Sequence, residues 1–264
     1  MAMSPGKRAR LSRGIQYALL GVIVLVAAVQ ANWRLILDSF VNPAVLVELV
    51  PEIFTIALKN TVIYTALGFT FGLALGLLLA LMRLSSVGPY RWFATGVIEF
   101  FRGLPALVVF IFFAFGIPTA FPGYAVPFDP YGTVTIALGL VGGAYMAETI
   151  RAGIQAVPKG QMEAARSLGM SHTRAMFSVV IPQAFRIILP PLTNELILLT
   201  KDSSLVYVVG LSLDSYELTG FGRDALNTLV SVTPLTAIGV AYLMITVPLS
   251  IVVRRMEARS ARAR

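Results

Sequence analysis

The chain has 264 residues, of which 57% are hydrophobic and only 13% charged, with a net charge of +8. A soluble domain carries about 25% charged and about 45–50% apolar residues, so this composition excludes an ordinary soluble fold and points to a membrane. With no cysteine and a single histidine, His172, the chain also excludes a disulfide framework, a thiolate metal site, a cysteine nucleophile and any two-histidine motif.

The first apolar run, residues 15–31, follows Lys7, Arg8, Arg10 and Arg13. It is long enough to span, and Ala31-Asn32-Trp33 is a poor small-x-small cleavage site, so it reads as a retained first transmembrane helix rather than a removed leader. A helix needs roughly 20 mostly apolar residues to cross the hydrocarbon core. Residues 61–81 carry no charge between Lys59 and Arg83. Residues 104–121 make the next run, with 92–101 extending it on the cytoplasmic side. Then come 133–147, running on past Glu148 toward Arg151; 189–213, which holds Glu195, Lys201 and Asp202; and 234–253. The pattern predicts an all-α integral membrane protein with six transmembrane helices.

Basic residues concentrate in cytoplasmic loops near helix ends. With the N-terminus inside, all but four of the 21 Lys and Arg fall on the cytoplasmic side; the exceptions are Arg34, Lys59 and Arg223 outside and Lys201 within a helix. Both termini are therefore expected in the cytoplasm. The basic balance follows from topology and calls for no nucleic acid. The outer segments 41–52, 118–131 and 214–232 are rich in Pro, Gly and aromatics and carry Glu48, Glu52, Asp129, Asp214, Glu217 and Asp224. They read either as ordinary solvated loops or as a docking rim for an external solute receptor. The two halves show no pair of matched broken helices, which weighs against a secondary transporter built on inverted repeats.

The one long polar insertion is 151–190. Pro158 can open a helix, Gln161 to Leu168 are compatible with one, and Gly169 is the residue type that ends a helix in a left-handed turn. Ser171 can cap the next helical stretch. In the short helix before Gly169, Met162 and Leu168 are the only large apolar residues, too thin a face for a helix lying on the bilayer, so docking of a partner is expected. Ala164 and Ala165 would give a surface without bulk, and Glu163 a charge for one specific pairing.

Glu163-Ala164-Ala165, three residues, Gly169, nine residues, then Val179-Val180-Ile181-Pro182 resembles the Glu-Ala-Ala loop of bacterial ABC importer permeases. Tyr145 to Ile154, Val157 to Gln161, Phe101-Arg102-Gly103-Leu104-Pro105 and Lys201-Asp202-Ser203-Ser204-Leu205 are similar to signatures of the polar amino-acid (histidine and glutamine permease) branch. The resemblance covers 56–257. Residues 1–55, a basic tail plus an extra first helix and outer loop, depart from five-span members, and 258–264 form a second basic tail.

The resemblance implies a type I importer fold in a bacterial plasma (inner) membrane. It implies a second permease subunit, the same or a related chain, around a central path. ABC ATPase subunits would bind ATP and magnesium, and an extracytoplasmic solute-binding protein would deliver an amino acid. Residues Glu163, Ala164, Ala165, Leu168 and Gly169 would form the coupling surface for the ATPase. The chain itself has no GxxxxGK[ST] loop, no GxSxG and no hydrolase-like carboxylate pair, so no catalytic residue, metal or cofactor is expected in it.

Glu195 and Asp202 are seven residues apart, hence on one helix face, with Asn194 and Lys201 on the adjacent stripe. Counting from Leu189 places Lys201 and Asp202 roughly 18–20 Å into the span. An unpaired charge there costs at least about 2.5–3.5 kcal/mol, so these groups should face protein or a water-filled cavity. Two readings stay open. In one, Asn194, Glu195, Lys201, Asp202 and Ser203 line the substrate path, with Asp202 meeting an ammonium and Lys201 a carboxylate; in the other, the charges form a structural ion-pair set. A secondary carrier or channel using Glu195 and Asp202 is the alternative function, and a membrane-embedded enzyme a more distant one. Gly68, Gly72 and Gly76 recur at the spacing of close helix packing. Glu99 is expected to pair with Arg102 and Glu148 with Arg151, each three residues on; Arg102 to Pro105 should mark a bend, and His172 a loop surface.

Overall fold

A computed structural model describes residues 5–124 and 126–262. Among the described residues the regular structure is entirely helical. Helix α1 (Pro5–Gln30) is a single span whose apolar stretch buries no residue against the rest of the chain. The backbone then turns at Asn32, whose side chain accepts from Leu35 N, while Trp33 Nε1 donates to Ala28 O at 2.7 Å. Helices α2 (Trp33–Phe40) and α3 (Pro43–Glu52) follow. The expectation of a loop over 41–52 is therefore corrected. Asn42 accepts from Ala44 N and Val45 N, and Pro43 takes the first helical position, where its missing N–H costs nothing. A π-helical segment (Ile53–Leu58) joins α3 to α4 (Lys59–Leu84), extending the expected second span well toward its N-terminal side.

Helix α5 (Gly88–Gly103) does not continue into the next span. The chain bends by 103° at Leu104–Pro105, where Pro105 lacks the donor a continuing helix would need. The span resumes as α6 (Ala106–Ile111), a π-helical turn (Phe112–Gly116) and α7 (Ile117–Ala120). Helix α8 (Tyr131–Gln155) carries the chain to the polar insertion. That insertion holds α9 (Lys159–Ser167) and α10 (His172–Ala175), and the latter runs through a π-helical segment (Met176–Val180) into α11 (Ile181–Asp202). A 3-10 stretch (Ser203–Val209), α12 (Leu218–Leu229) and α13 (Thr233–Arg262) complete the fold. The expected tail 258–264 is thus helical through Arg262; its last two residues lie outside the described ones.

Helices α4 and α8 make the most extensive pair in the molecule. Their contact is set by glycine. A Cβ on Gly68 would lie 2.7 Å from Leu138 Cβ, and one on Gly76 would lie 2.9 Å from Gly143 O, so larger residues would force the helices apart. The central core collects Tyr64, Ile98, Phe110, Leu138, Met146 and Leu199, all fully or almost fully buried. A second cluster joins Leu49 and Ile53 to Leu218, Phe221 and Ile238. It recruits α12 into the body of the protein, so 214–232 is not the solvated loop its composition suggested.

Candidate functional site

The polar insertion forms a short helix whose two ends are fixed by different devices. At its start Pro158 sits in an extended conformation (φ −57°, ψ 131°) and its carbonyl accepts from Gln161 N at 3.0 Å. At its end Gly169 has φ +84°, Gly169 N donates to Arg166 O at 3.0 Å and Met170 N to Ala165 O at 3.2 Å. That pair of bonds is a Schellman closure, and it requires the left-handed backbone that glycine adopts without strain. Ser171 Oγ then accepts from Arg174 N, starting α10 as expected. Gln183 Nε2 donates to Gln161 Oε1 at 3.2 Å, and partly buried Met162 packs against the central core, so α9 is seated on the bundle rather than free of it.

The exposed surface of this helix differs in one respect from the expected one. Ala165 is only 5% exposed and turns toward the bundle, because it lies three residues after Met162 on the seated face. Glu163 and Ala164 face outward, with Gly169 beside them, and Leu168 is 83% exposed. His172 is exposed, as read from its place in the loop.

In the C-terminal part of α8, four charged side chains meet. Arg83 Nη1 on α4 lies 2.6 Å from Glu148 Oε2, and Arg151 bonds both oxygens of the same carboxylate. The expected Glu148–Arg151 pair is present and Arg83 joins it. The expected Glu99–Arg102 pair is corrected: Glu99 reaches Arg83 at 3.5 Å, while Arg102 lies over the Tyr145 ring, 5.5 Å from its centroid.

On α11, Glu195 and Asp202 are partly buried while Asn194 and Lys201 are exposed. Glu195, Lys201 and Asp202 form no salt bridge among the described residues, which removes the structural ion-pair set in this chain. Ser203 is corrected as a path-lining group. It is fully buried and its hydroxyl donates to Thr200 O at 2.7 Å, so it offers nothing to a solute as placed.

Residues with no motif around them form a second polar centre. Glu217 is fully buried and caps α12; its carboxylate accepts from Thr219 N, Gly220 N and Tyr242 Oη. Thr61 Oγ1 accepts from Leu218 N, Asn60 Nδ2 donates to the carbonyls of Asp214 and Tyr216, and Tyr64 Oη donates to Ser215 O. The approach to α12 is thereby pinned to the N-terminal part of α4. The one sequence signal was an acidic residue directly before an amphipathic stretch.

Residues 72–262 match the family described as "Binding-protein-dependent transport system inner membrane component". The "Probable glutamine ABC transporter permease protein GlnM" of Bacillus subtilis (strain 168) is 38% identical over 201 residues, covering 76% of this chain and 89% of GlnM. The "L-cystine transport system permease protein TcyB" of the same organism is 44% identical over 163 residues, covering 60% of this chain and 68% of TcyB. A solved structure titled "Crystal structure of an amino acid ABC transporter with histidines" superposes with a TM-score of 0.71 at 35% identity, covering 81% of this chain and 96% of that one.

Proposed function

We infer the role of this chain from one premise: it belongs to the family of binding-protein-dependent transport system inner membrane components. Its fold is that of a type I ABC importer permease, and it is a multi-pass membrane protein. We propose that it is the permease subunit of an ATP-driven importer for polar or charged amino acids, coupled through α9 to a separate ATPase. The similarity to glutamine and cystine permeases supports the substrate class.

The observation that carries the coupling role is Leu168. A leucine 83% exposed, beside the left-handed turn at Gly169, is a side chain suited to an apolar pocket on another protein. Because α9 is seated by Met162, Ala165 and Gln161, a push on Leu168 is delivered to α8 and α11 rather than absorbed by a loose loop. Closure of the ATPase would then tilt these helices as rigid bodies and alternate the access of the path.

In this reading the termini and α9 lie in the cytoplasm of a bacterial cell. A second permease subunit completes the path, a solute-binding protein docks on the opposite face, and ATP and magnesium belong to the ATPase. Glu195 and Asp202, with exposed Asn194 and Lys201, line the route. The test is Glu163→Lys in the assembled transporter. Assembly should persist while ATP hydrolysis continues without uptake; tightly coupled uptake in that variant would remove the docking role.

A further inference from the structure

At the end of the bundle remote from α9, a cavity of about 190 Å³ opens between the 3-10 stretch after α11 and one face of α12. Its walls include Tyr207, Tyr216, Arg223, Asp224 and Asn227. Asp224 and Asn227 are three residues apart and Arg223 and Asn227 four, so all three polar groups stand on one helix face. The opposite face, with Leu218, Phe221 and Ala225, is buried. The Arg223 guanidinium lies over the Tyr207 ring, 4.9 Å from its centroid. A guanidinium held over an aromatic ring keeps its edge N–H groups available to grip a carboxylate. Among the described residues the side chains of Arg223, Asp224 and Asn227 have no hydrogen-bond or salt-bridge partner.

We propose that this cavity is an outer binding site for the charged head of a free amino acid, occupied before the solute reaches Glu195 and Asp202. The proposal rests on the importer reading above. Arg223 receives the α-carboxylate, Asp224 the α-ammonium, and Asn227 bonds either. Adjacent opposite charges that do not pair with each other match a zwitterion, because an anion or a cation alone would leave one of them unanswered. The cavity is smaller than the roughly 300–1,000 Å³ of drug-sized sites, which suits a head group with its side chain projecting out. The buried Glu217 holds the Gly220 amide in the cavity floor at 2.7 Å, so the site is built on a fixed helix end.

The chain has no cysteine, which permits a direct test. Leu211→Cys, on the cavity wall but outside the polar trio, in the transporter assembled with its ATPase and without a receptor protein, is labelled by a thiol reagent in the presence of L-glutamine, L-arginine or L-glutamate. The amino acid that the wild-type complex takes up, at roughly ten times its half-protecting concentration, should slow labelling about tenfold. Acetate or methylamine should protect only at far higher concentration. Adding Arg223→Gln, or separately Asp224→Asn, should abolish protection while the chain still co-purifies with the ATPase. ATP-driven uptake by the wild type with no protection of Cys would overturn this site and leave the importer reading intact. Protection by the receptor protein alone, but not by free amino acid, would also overturn it. Absence of ATP-driven uptake of any polar or charged amino acid by the complex supplied with its solute-binding protein would overturn the importer reading and this inference with it.

Discussion

Gly72 on α4 and Gly143 on α8 meet backbone against backbone: a Cβ on Gly143 would lie 3.0 Å from Gly72 O, and a Cβ on Gly72 3.2 Å from Gly143 N. Two helices in such contact move as one body, because no side chain lies between them to shift. Gly72→Leu should cost about 1–3 kcal/mol of stability in detergent, as overpacking does. Gly96→Ala, where an added Cβ meets nothing within 4 Å, should be neutral or mildly stabilising. Thermal unfolding of the two variants checks the contrast.

The charged cluster at the end of this helix pair should respond unequally to its two sides. Glu148→Gln strands Arg83 and Arg151 together and should cost about 1.5–3 kcal/mol. Arg83→Gln leaves Glu148 bonded to Arg151 and should cost about 1 kcal/mol or less. Equal losses on thermal unfolding would mean that Arg83 and Arg151 do not share the carboxylate as placed.

At Gly169 an added Cβ also meets open space, so a substitution is penalised only through the positive φ. Gly169→Ala should cost about 1–2 kcal/mol, and Gly169→Asn less, since asparagine tolerates the left-handed region. Gly169→Val should be the most damaging, a branched residue resisting that turn. The Met170 amide, bonded to Ala165 O, reports the closure: its hydrogen exchange in Gly169→Ala should speed about fivefold to thirtyfold.

Glu217→Gln keeps the shape of the α12 cap but replaces one acceptor oxygen with a donor. One of the donors at Thr219, Gly220 or Tyr242 would then face an N–H group, with a loss of about 1–3 kcal/mol. The loss should appear as faster hydrogen exchange through Leu218–Leu229, with α9 unaffected.

Local chemistry was legible in the sequence, and tertiary choices were not. The Pro158 start, the Gly169 turn, the Ser171 cap and the bend before Pro105 depend on neighbours within a few residues, so the chain displays them directly. The glycine spacing on α4 announced a packing face because only one kind of contact uses it. Glu99 was misread because the i,i+3 rule sees Arg102 and not Arg83 on the adjoining helix. Residues 41–52 and 218–229 looked like loops because Pro and Gly there serve helix starts and close packing, as at Pro43 and at Gly222 against Ile238. Ala165 and Ser203 carry no sign in sequence of which way they turn. Their burial follows from Met162 seating one helix and from Thr200 O capturing the other hydroxyl.

The most direct measurement is uptake of a radiolabelled amino acid into liposomes holding the permease pair and supplied with its solute-binding protein, with and without the ATPase, under ATP and under a proton gradient. Accumulation against a gradient should require the ATPase and ATP, and should survive collapse of the proton gradient. Uphill accumulation by this chain alone, driven by protons, would contradict the account.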